Sequence, residues 1–441
     1  MRTQKLLVAA AILILSGRVD SAEDRPGRVR KDREQFLASG RWIYNDLPKA
    51  FEEARKSGKP LVVTIRCIPC ESCRGFDEEL TAGDPRIEAL LDRFVRVRIP
   101  QANGLDLSLF QFDYDLSFYA FFLNADRTIY GRFGSPSTQK DKTGKVSMDA
   151  FREALVAALE LHGRHGELKE RLKAKTGPVP ALKVPEEYPP LKGKYTAKID
   201  YENAPVKSCI HCHQIRDSER EMVRSAKKPI PDSVLYPWPL PDVFGLHLDP
   251  HKAASIERVD KGSVAEKAGF RAGDALLELE GQPLVSIADV QWVLERSPEV
   301  GTLQAKVRRE GEAATLKLPL KAGWRRGSDI SWRATTWELR RRAAGGLLLE
   351  DLPAADRREA GLAENVLALR AKHVGEYGEH AVAKKAGFRK GDIIVAVDGR
   401  SERQSESGLI GYALQKKRPG DRLAFSVLRE GKRLEMSFSV Q

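Results

Sequence analysis

Two stretches in the C-terminal half are near copies of each other: AEKAGFRAGDALLELEGQ at residues 265–282 and AKKAGFRKGDIIVAVDGR at residues 383–400. They are offset by 118 residues, and a second pair, VRREGEAATLKL from Val307 and VLREGKRLEMSF from Val427, is offset by 120. Each copy runs from a Gly-Asp turn into an apolar strand, then a helical stretch, then a strand with an Arg-Glu-Gly hairpin turn. The sequence therefore predicts two copies of one mainly-β module.

This order of elements resembles the PDZ domain of bacterial periplasmic proteins, over residues 243–320 and 343–441. The resemblance implies capture of a peptide or protein C-terminus as an added strand, with the carboxylate held by backbone amides of a loop. Phe244-Gly245-Leu246 fits that loop in the first copy. Gly345-Gly346-Leu347 is the nearest match in the second copy, where the insertion 353–376 separates it from the repeat.

The N-terminus has the pattern of a secretory signal peptide, predicted over residues 1–22. Arg2 and Lys5 precede a ten-residue apolar run, and small residues follow it. That run is too short for a bilayer, which needs about 20 apolar residues. We therefore expect a periplasmic or secreted protein with no stable membrane span.

The net charge of +12 comes from Lys and Arg that are interleaved with Asp and Glu along the chain. This pattern indicates a solvated ionic surface and no nucleic-acid partner. PDZ domains of secreted bacterial proteins often accompany serine proteases, but the sequence contains no Gly-Asn-Ser-Gly-Gly nucleophile turn, which disfavours a protease.

The N-terminal third, residues 36–163, is predicted to be an α/β domain. Its order is helix, strand, helix, three strands and a closing amphipathic helix, and cysteines follow the buried-type strand LVVTI at 61–65. Cysteines at such a strand–helix junction resemble the thioredoxin fold. A thiol at a helix N-terminus is stabilised as thiolate by the helix dipole, which favours redox chemistry.

Cys67, Cys70 and Cys73 are the candidate catalytic thiols, and their spacing allows two C-x-x-C pairs. Nine residues separate Pro60 from Cys70, the spacing expected of thioredoxin-like proteins between the strand-initiating proline and the attacking cysteine. That register makes Cys73 the resolving thiol and Cys67 a third thiol. The other register pairs Cys67 with Cys70, and it is disfavoured because it would need a strand-to-cysteine loop shorter by three residues.

One departure from the thioredoxin pattern leaves a metal-binding alternative open. Thioredoxins place a cis-proline before the strand that faces the disulfide, and here Phe118 stands near that position. Three thiolates would also suit Cu(I) or Zn. An iron–sulfur cluster is disfavoured because Asp77 stands where a fourth cysteine would be.

The remaining two cysteines lie in SCIHCHQ, residues 208–214, and C-x-x-C-H is the signature of covalent c-type haem. In this interpretation Cys209 and Cys212 form the thioethers, and His213 ligates the iron. A disulfide or half of a zinc site are the alternatives.

The sixth iron ligand is predicted to be Met222, with His247 and His251 as the other candidates. Residues 208–242 would form the haem segment. A Lys/Pro-rich, semi-rigid linker is predicted before it, over residues 164–207.

The whole arrangement resembles a group of exported bacterial thioredoxin-like/PDZ domain (seleno)proteins. The predicted fold is multidomain: an α/β thioredoxin-like domain, a haem-binding linker segment and two mainly-β PDZ-like domains. The resemblance implies periplasmic electron transfer with a redox partner protein, and thiol–disulfide oxidoreductase is the candidate enzyme class. A metal-binding thioredoxin-like protein and a PDZ scaffold without turnover are the alternatives.

Overall fold

The computed structural model describes residues 24–68, 74–137 and 146–441. The predicted signal peptide and the thiols Cys70 and Cys73 lie outside these residues. The α-helices are α1 (Arg25–Ser39), α2 (Leu47–Ser57), α3 (Arg74–Ala82), α4 (Pro85–Leu91), α5 (Met148–Gly163), α6 (His165–Leu172), α7 (Cys212–Ser225), α8 (Asp232–Leu235), α9 (Val264–Lys267), α10 (Ile287–Arg296), α11 (Thr336–Ala344), α12 (Ala354–Glu359), α13 (Val382–Lys385) and α14 (Glu406–Lys416).

The β-strands are β1 (Ile43–Tyr44), β2 (Leu61–Arg66), β3 (Val95–Ile99), β4 (Phe118–Leu123), β5 (Ile129–Phe133), β6 (Leu246–Leu248), β7 (Ile256–Val259), β8 (Ala275–Leu279), β9 (Gln282–Pro283), β10 (Gly301–Arg309), β11 (Glu312–Leu320), β12 (Leu347–Asp351), β13 (Leu369–Val374), β14 (Ile393–Val397), β15 (Arg422–Arg429) and β16 (Lys432–Ser439). Short 3₁₀ turns lie at Lys173–Lys175, Pro185–Glu187, Pro241–Phe244, Trp324–Gly327 and Gly378–Ala381.

The N-terminal domain is a five-stranded sheet in the order β1-β3-β2-β4-β5, with helices on both faces. Strands β1, β2 and β3 are parallel, and β4 and β5 run antiparallel to their neighbours. All six residues of β2 are buried because α2 covers one face and α3, α4 and α5 cover the other. The α/β architecture is as the sequence predicts, but α1, β1 and α4 were not predicted.

Helix α2 shows how local sequence sets an element boundary. The Asp46 carboxylate caps its start by accepting from the Lys49 N–H at 3.1 Å, and Pro48 occupies the first turn. The helix ends at Gly58, whose φ of 68° is the left-handed conformation that favours glycine. The end of the helix at Gly58 therefore sets the start of strand β2 at Leu61, and β2 leads to Cys67.

The two C-terminal modules form separate sheets. The first has a four-stranded sheet in the order β11-β10-β8-β9 with the pair β6-β7, and the second has the order β12-β13-β14-β15-β16. An ion pair fixes the Gly-Asp turn in each. Arg309 donates to both carboxylate oxygens of Asp274 at 2.7 Å, and Arg429 makes the same two contacts with Asp392.

Residues 164–207 are not the spacer that the sequence predicts. They begin with α6, whose Leu168 and Leu172 are buried in the core of the N-terminal domain. The buried Lys175 then places its Nζ 2.9 Å from Asp289 of α10. The segment is docked by apolar and charged side chains that precede its first proline, Pro178.

Close backbone approach joins the N-terminal domain to the first C-terminal module. A Cβ at Gly131 of β5 would lie 2.0 Å from a methyl carbon of Val285, two residues before α10, so glycine lets the residues that lead into α10 pack closely here. The segment after the module is tied to the same domain by Arg333, whose Nη1 lies 2.7 and 2.6 Å from the two carboxylate oxygens of Asp113. Both of these charged groups are buried.

Candidate functional site

Cys67 follows β2 directly and lies at the candidate thiol site. Its N–H donates to the carbonyl of Ser117 at 2.9 Å, so it faces the turn before β4. Its Sγ lies 2.9 Å from the Nδ1 of His211, 144 residues further along the chain. The structure therefore brings the first cysteine motif together with the C-x-x-C-H segment.

The C-x-x-C-H segment is held by the loop that follows β3. Ala102 N–H donates to the Ile210 carbonyl at 3.0 Å, and Ile210 N–H donates to Asn103 Oδ1 at 2.7 Å. The Asn103 amide also donates to the carbonyls of Thr196 at 2.7 Å and Ser208 at 2.9 Å. One buried asparagine thus satisfies two backbone groups of the segment and a third at Thr196, and it fixes the segment's position.

The N-terminus of α7 orients His211. The His211 N–H donates to Gln214 Oε1 at 2.8 Å, the backbone half of a capping box. Its ring stacks on His213, with centroids 5.5 Å apart, and His213 Nδ1 lies 3.6 Å from Asp217 Oδ2. Two imidazoles therefore lie side by side, and one of them, His211, contacts Cys67.

Cys209 and Cys212 face the protein interior. Their residues are 2% and 3% exposed, and Cys212 packs in the apolar core with Ile210 and Ile215. Burial raises the pKa of the Cys209 thiol to about 12. A thiol in that environment stays protonated at neutral pH and is a poor nucleophile.

The residues as folded do not fit covalent haem. Both thioethers and the histidine ligand must reach one porphyrin, yet the two thiols lie in the core while the His213 side chain is 43% exposed. The C-x-x-C-H segment would have to leave its docked position to accept the group. The haem at Cys209, Cys212 and His213 stays a prediction that this arrangement does not favour.

Met222 is ruled out as the sixth ligand while α7 is intact. It lies nine residues after His213 on the same helix, which separates the two by roughly 13 Å at 1.5 Å per residue. Two residues so placed cannot ligate opposite faces of one iron. The other candidates are engaged elsewhere: His247 Nε2 lies 2.8 Å from Asp260, and His251 Nδ1 lies 3.0 Å from Ser147.

Metal binding has limited support within the part of the chain that the structure describes. No group of three or more His, Cys, Asp or Glu side chains there could hold a metal ion. Cys67 and His211 place a thiol and an imidazole in contact, and both donors suit Zn or Cu.

The peptide-binding loop predicted at Phe244-Gly245-Leu246 is closed. Phe244 stacks on Trp324 with ring centroids 5.3 Å apart, and Leu246 is buried in β6. The Gly245 N–H, which would be expected to hold a carboxylate, donates to the Asp242 carbonyl at 3.0 Å. The sequence matched the loop pattern but could not show that Trp324 covers it.

The corresponding edge of the second module is also occupied. The Leu349 N–H of the edge strand β12 donates to Glu406 Oε1 at 2.8 Å. Arg340 of α11 in turn binds both oxygens of that carboxylate, at 2.9 and 2.7 Å. A peptide adding to β12 would have to displace this pair.

Comparison with protein-family models identifies the domains. A thioredoxin-like family model matches residues 42–125, and PDZ domain models match residues 255–309 and 379–440. The chain therefore carries a thioredoxin-like domain followed by two PDZ domains. Among the residues that the structure describes, no helix has the length and apolarity needed to cross a membrane.

Similar curated proteins include a probable periplasmic serine endoprotease DegP-like of Marinomonas sp. (strain MWYL1), 28% identical over 161 residues, which are 36% of this chain and 31% of that protein. Another is the serine protease Do-like HtrA of Bacillus subtilis (strain 168), 33% identical over 79 residues, 18% of this chain and 17% of that one. The chain thus spans less than a third of these relatives' own length. A solved HtrA-type protease, AlgW with a decapeptide, is 16% identical with a TM-score of 0.20 and covers 32% of this chain and 48% of its own.

Two residues of the site were not predicted from the sequence. His211 was treated as one of the variable positions of C-x-x-C-H, and Asn103 carries no motif at all. Both matter through contacts with residues about a hundred or more positions away. A periodicity or spacing argument has no access to such pairs.

Proposed function

We propose that the protein is a thiol–disulfide oxidoreductase that acts outside the cytoplasm and that His211 assists its thioredoxin-like thiols. One observation carries the proposal: the 2.9 Å contact between Cys67 Sγ and His211 Nδ1. An imidazole at that distance can take the proton of the thiol, and a thiolate is the nucleophile in disulfide exchange. The contact therefore supports redox chemistry at the thioredoxin-like domain.

In the proposed reaction, Cys70 gives its proton to solvent and its thiolate attacks a substrate disulfide. The first substrate sulfur leaves as a thiolate that takes a proton from solvent. Cys67 gives its proton to His211 and attacks the Cys70 sulfur of the mixed disulfide. The second substrate thiol leaves with that proton, and a Cys67–Cys70 disulfide remains. Two electrons and two protons pass to the substrate. This assignment uses the second of the two registers, in which the buried Cys67 resolves and Cys73 is the additional thiol.

The location and the partners follow from other features. The signal-like N-terminus supports a periplasmic or secreted location, and so do relatives of the PDZ part that are named as periplasmic proteins. PDZ domains are a class that binds peptides by strand addition. Capture of a partner's C-terminus at Phe244-Gly245-Leu246 would require that loop to separate from Trp324.

Trapping of the mixed disulfide tests which thiol resolves. With glutathione disulfide as the probe, Cys67→Ser should accumulate a glutathione adduct on Cys70, detected by mass spectrometry of the intact and digested chain. Cys73→Ser is the matched control and should not accumulate it. An adduct trapped by Cys73→Ser but not by Cys67→Ser would assign resolution to Cys73 and overturn the role of Cys67.

The role of His211 is tested by the rate of resolution. His211→Ala should slow it about tenfold or more at pH 7, since proton transfer by a positioned side chain contributes at least that much. Raising the pH should restore the rate, because the thiol then ionises without a base. His380→Ala, at a partly exposed histidine of the second PDZ domain, is the control. An unchanged rate in His211→Ala would show that the contact has no catalytic role.

Haem attachment is tested separately. A pyridine-haemochrome spectrum would be taken after expression with a c-type haem maturation system, with Cys209→Ala alongside. We expect no covalent band, because Cys209 and Cys212 are buried. A band that disappears in Cys209→Ala would mean that the segment opens, and His211 could not then remain against Cys67.

The metal-binding alternative makes a different prediction about the same pair. A thiolate–imidazole site would bind Cu(I) or Zn stoichiometrically and lose it in both Cys67→Ser and His211→Ala. The oxidoreductase proposal requires turnover of a disulfide without added metal.

A further inference from the structure

A serine and a histidine from different domains meet at the start of α5. The Ser147 Oγ lies 3.0 Å from the Nδ1 of His251, which belongs to the turn between β6 and β7. A second contact holds that turn against the same helix, since the Ala253 N–H donates to Glu153 Oε2 at 2.8 Å. A hydroxyl and an imidazole at this distance have the geometry of a nucleophile and its general base.

Ser147 differs from the other serines that begin helices in the part of the chain that the structure describes. Ser263, Ser286 and Ser405 are the N-caps of α9, α10 and α14, and each hydroxyl accepts a hydrogen bond from an N–H of its own first turn. Ser147 is the N-cap of α5, but its hydroxyl makes no such bond. Capping is the usual role of a serine at this position, so the contact with His251 takes the place of the cap.

The first turn of α5 therefore keeps unpaired donors beside the Ser147 hydroxyl. The Phe151 N–H donates to the Ser147 carbonyl at 3.0 Å. The three preceding N–H groups, those of Met148, Asp149 and Ala150, have no acceptor among the described residues. Backbone N–H groups in such a place can stabilise the oxyanion that forms when a serine attacks a carbonyl group.

A small cavity lies between the two elements that carry the pair. Ser147 and Ala150 line it from α5, and Pro250 and Lys252 line it from the turn. Ser137 also lines the cavity, is 6% exposed, and has no hydrogen-bond partner for its hydroxyl among the described residues. Buried polar groups are nearly always paired, so this hydroxyl is expected to donate to a bound group. The cavity volume of about 10 Å³ suits one water-sized group, such as a carbonyl oxygen.

We propose that Ser147 and His251 form a second active site, which hydrolyses a small ester. The Ser147 Oγ attacks the carbonyl carbon and gives its proton to His251, while the carbonyl oxygen enters the cavity and accepts from the Ser137 hydroxyl and the first-turn N–H groups of α5. The bond from the carbonyl carbon to the alcohol oxygen breaks, and the alcohol leaves with the proton from His251.

Water completes the reaction on the acyl-serine. It gives a proton to His251 and attacks the carbonyl carbon, the bond to the Ser147 Oγ breaks, and the carboxylic acid leaves. Ser147 then takes the proton back from His251. The net change is one ester and one water to one acid and one alcohol, so no electrons are exchanged and the site is independent of the thiol chemistry proposed above.

A fluorophosphonate probe tests the nucleophile on the full chain. An activated serine attacks the phosphorus, fluoride leaves, and the phosphonyl group stays on the serine, where mass spectrometry of a digest locates it. We expect the label on Ser147 and not on Ser263 or Ser405, whose hydroxyls cap their helices. His251→Gln should slow labelling about a hundredfold or more, since a positioned general base contributes that much. Ser263→Ala is the matched control and should label Ser147 at the natural rate.

Hydrolysis of p-nitrophenyl acetate tests turnover. The thiols are first blocked with iodoacetamide, because thiolates also attack activated esters. Ser147→Ala should abolish the catalysed rate, and Ser137→Ala should lower it about a hundredfold through the loss of an oxyanion donor. Circular dichroism during denaturation checks that each variant folds, and Ser147→Ala should keep its midpoint because the hydroxyl does not cap α5.

The proposal is overturned if the probe leaves Ser147 unlabelled, or if it labels Ser147 equally fast in the natural protein and in His251→Gln. It is also overturned if Ser147→Ala hydrolyses the ester like the natural protein. In either case the contact between Ser147 and His251 would serve only to dock the turn on α5. Should Ser137→Ala fail to fold, the exposed position of His251 still allows the decisive comparison.

Discussion

The two PDZ domains share their internal turn and differ in how their helices are used. Asp274 with Arg309 and Asp392 with Arg429 make the same pair of contacts, as their repeated sequence requires. The corresponding helices α10 and α14 begin with different residues, Ile287 and Glu406. The two copies therefore share their internal turn, while the helices α10 and α14 each pack on a different neighbour.

In the first PDZ domain, α10 packs on the thioredoxin-like domain. Gln291 is completely buried, accepts from the Ser135 hydroxyl and donates to the Trp238 carbonyl at 2.7 Å. The Ser286 hydroxyl, which caps the helix, donates to the Arg132 carbonyl. The helix thus makes polar contacts to backbone and side chains of a separate domain.

In the second PDZ domain, α14 packs on α11 and on the segment around α8. The Tyr236 hydroxyl donates to the Ser407 carbonyl at 3.3 Å, and Gln415 donates to the Ile230 carbonyl at 3.1 Å. The Arg340–Glu406 pair then joins α11 to the start of α14. The comparison teaches that a PDZ helix can be an internal docking surface: both copies use neutral hydrogen bonds and one buried ion pair, but the pair is Lys175–Asp289 with a neighbouring segment in the first copy and Arg340–Glu406 with α11 in the second.

The largest effect is expected from breaking the ion pair of the second copy. Arg340→Met leaves the Glu406 carboxylate buried without its cation, which should lower the free energy of unfolding by about 3–5 kcal/mol. Chemical denaturation measures the loss, and hydrogen exchange at the Leu349 amide locates it, since that N–H donates to Glu406.

Arg341→Met is the matched control one position further along α11. Its partners Glu338 and Glu379 are exposed, so its loss should be below about 1 kcal/mol. Equal losses in the two variants would show that the buried pair contributes no more than a surface pair, and the distinction between the copies would fail.

A smaller effect is expected from the ion pair beneath the first copy. Lys175→Met removes the cation beside Asp289, but that carboxylate keeps the Val285 N–H at 3.0 Å and has Arg132 at 3.9 Å. We expect a loss of about 1–3 kcal/mol in the free energy of unfolding. A loss as large as that of Arg340→Met would indicate that both copies depend equally on buried charge.

The smallest difference between the copies should appear at the turn that they share. Asp274→Asn and Asp392→Asn should destabilise the protein by similar amounts, because each aspartate has the same arginine geometry. Denaturation midpoints of the two variants measure this. Unequal losses would show that the repeated turn has a different role in each copy.

The loss in Asp274→Asn should also depend on pH. Burial acts to raise the pKa of Asp274, but the hydrogen bonds from Arg309 and the backbone outweigh it and lower the pKa below its ordinary value of 3.8. The lowered value means that the carboxylate stabilises the fold above pH 3.8 and that this contribution disappears as the pH falls below it. The difference in the free energy of unfolding between the natural protein and Asp274→Asn should therefore shrink on acidification. A difference that stays constant with pH would contradict this prediction.

Much of the fold could be predicted because local sequence carries it. Apolar runs and the alternation of apolar with polar residues predicted strands β2 to β5. The repeated Gly-Asp turns predicted both PDZ domains. Helix α1 was missed because its predominantly polar sequence has no apolar stripe; it is fixed by Asp32, which binds Arg98. The prediction of a linker over residues 164–207 was wrong. The segment docks partly through burial of Lys175, and that burial depends on Asp289, which lies in another domain.

The sequence by itself determined the domain order, the thiol spacing and the repeated turn, because each depends on residues that are neighbours along the chain. Only the tertiary structure decided that Cys67 meets His211, that the C-x-x-C-H thiols are buried, and that Trp324 and Glu406 close the two PDZ edges. Those contacts join residues that no period or spacing relates. Their free energy comes from burial and pairing of distant groups, which exists only once the domains have packed.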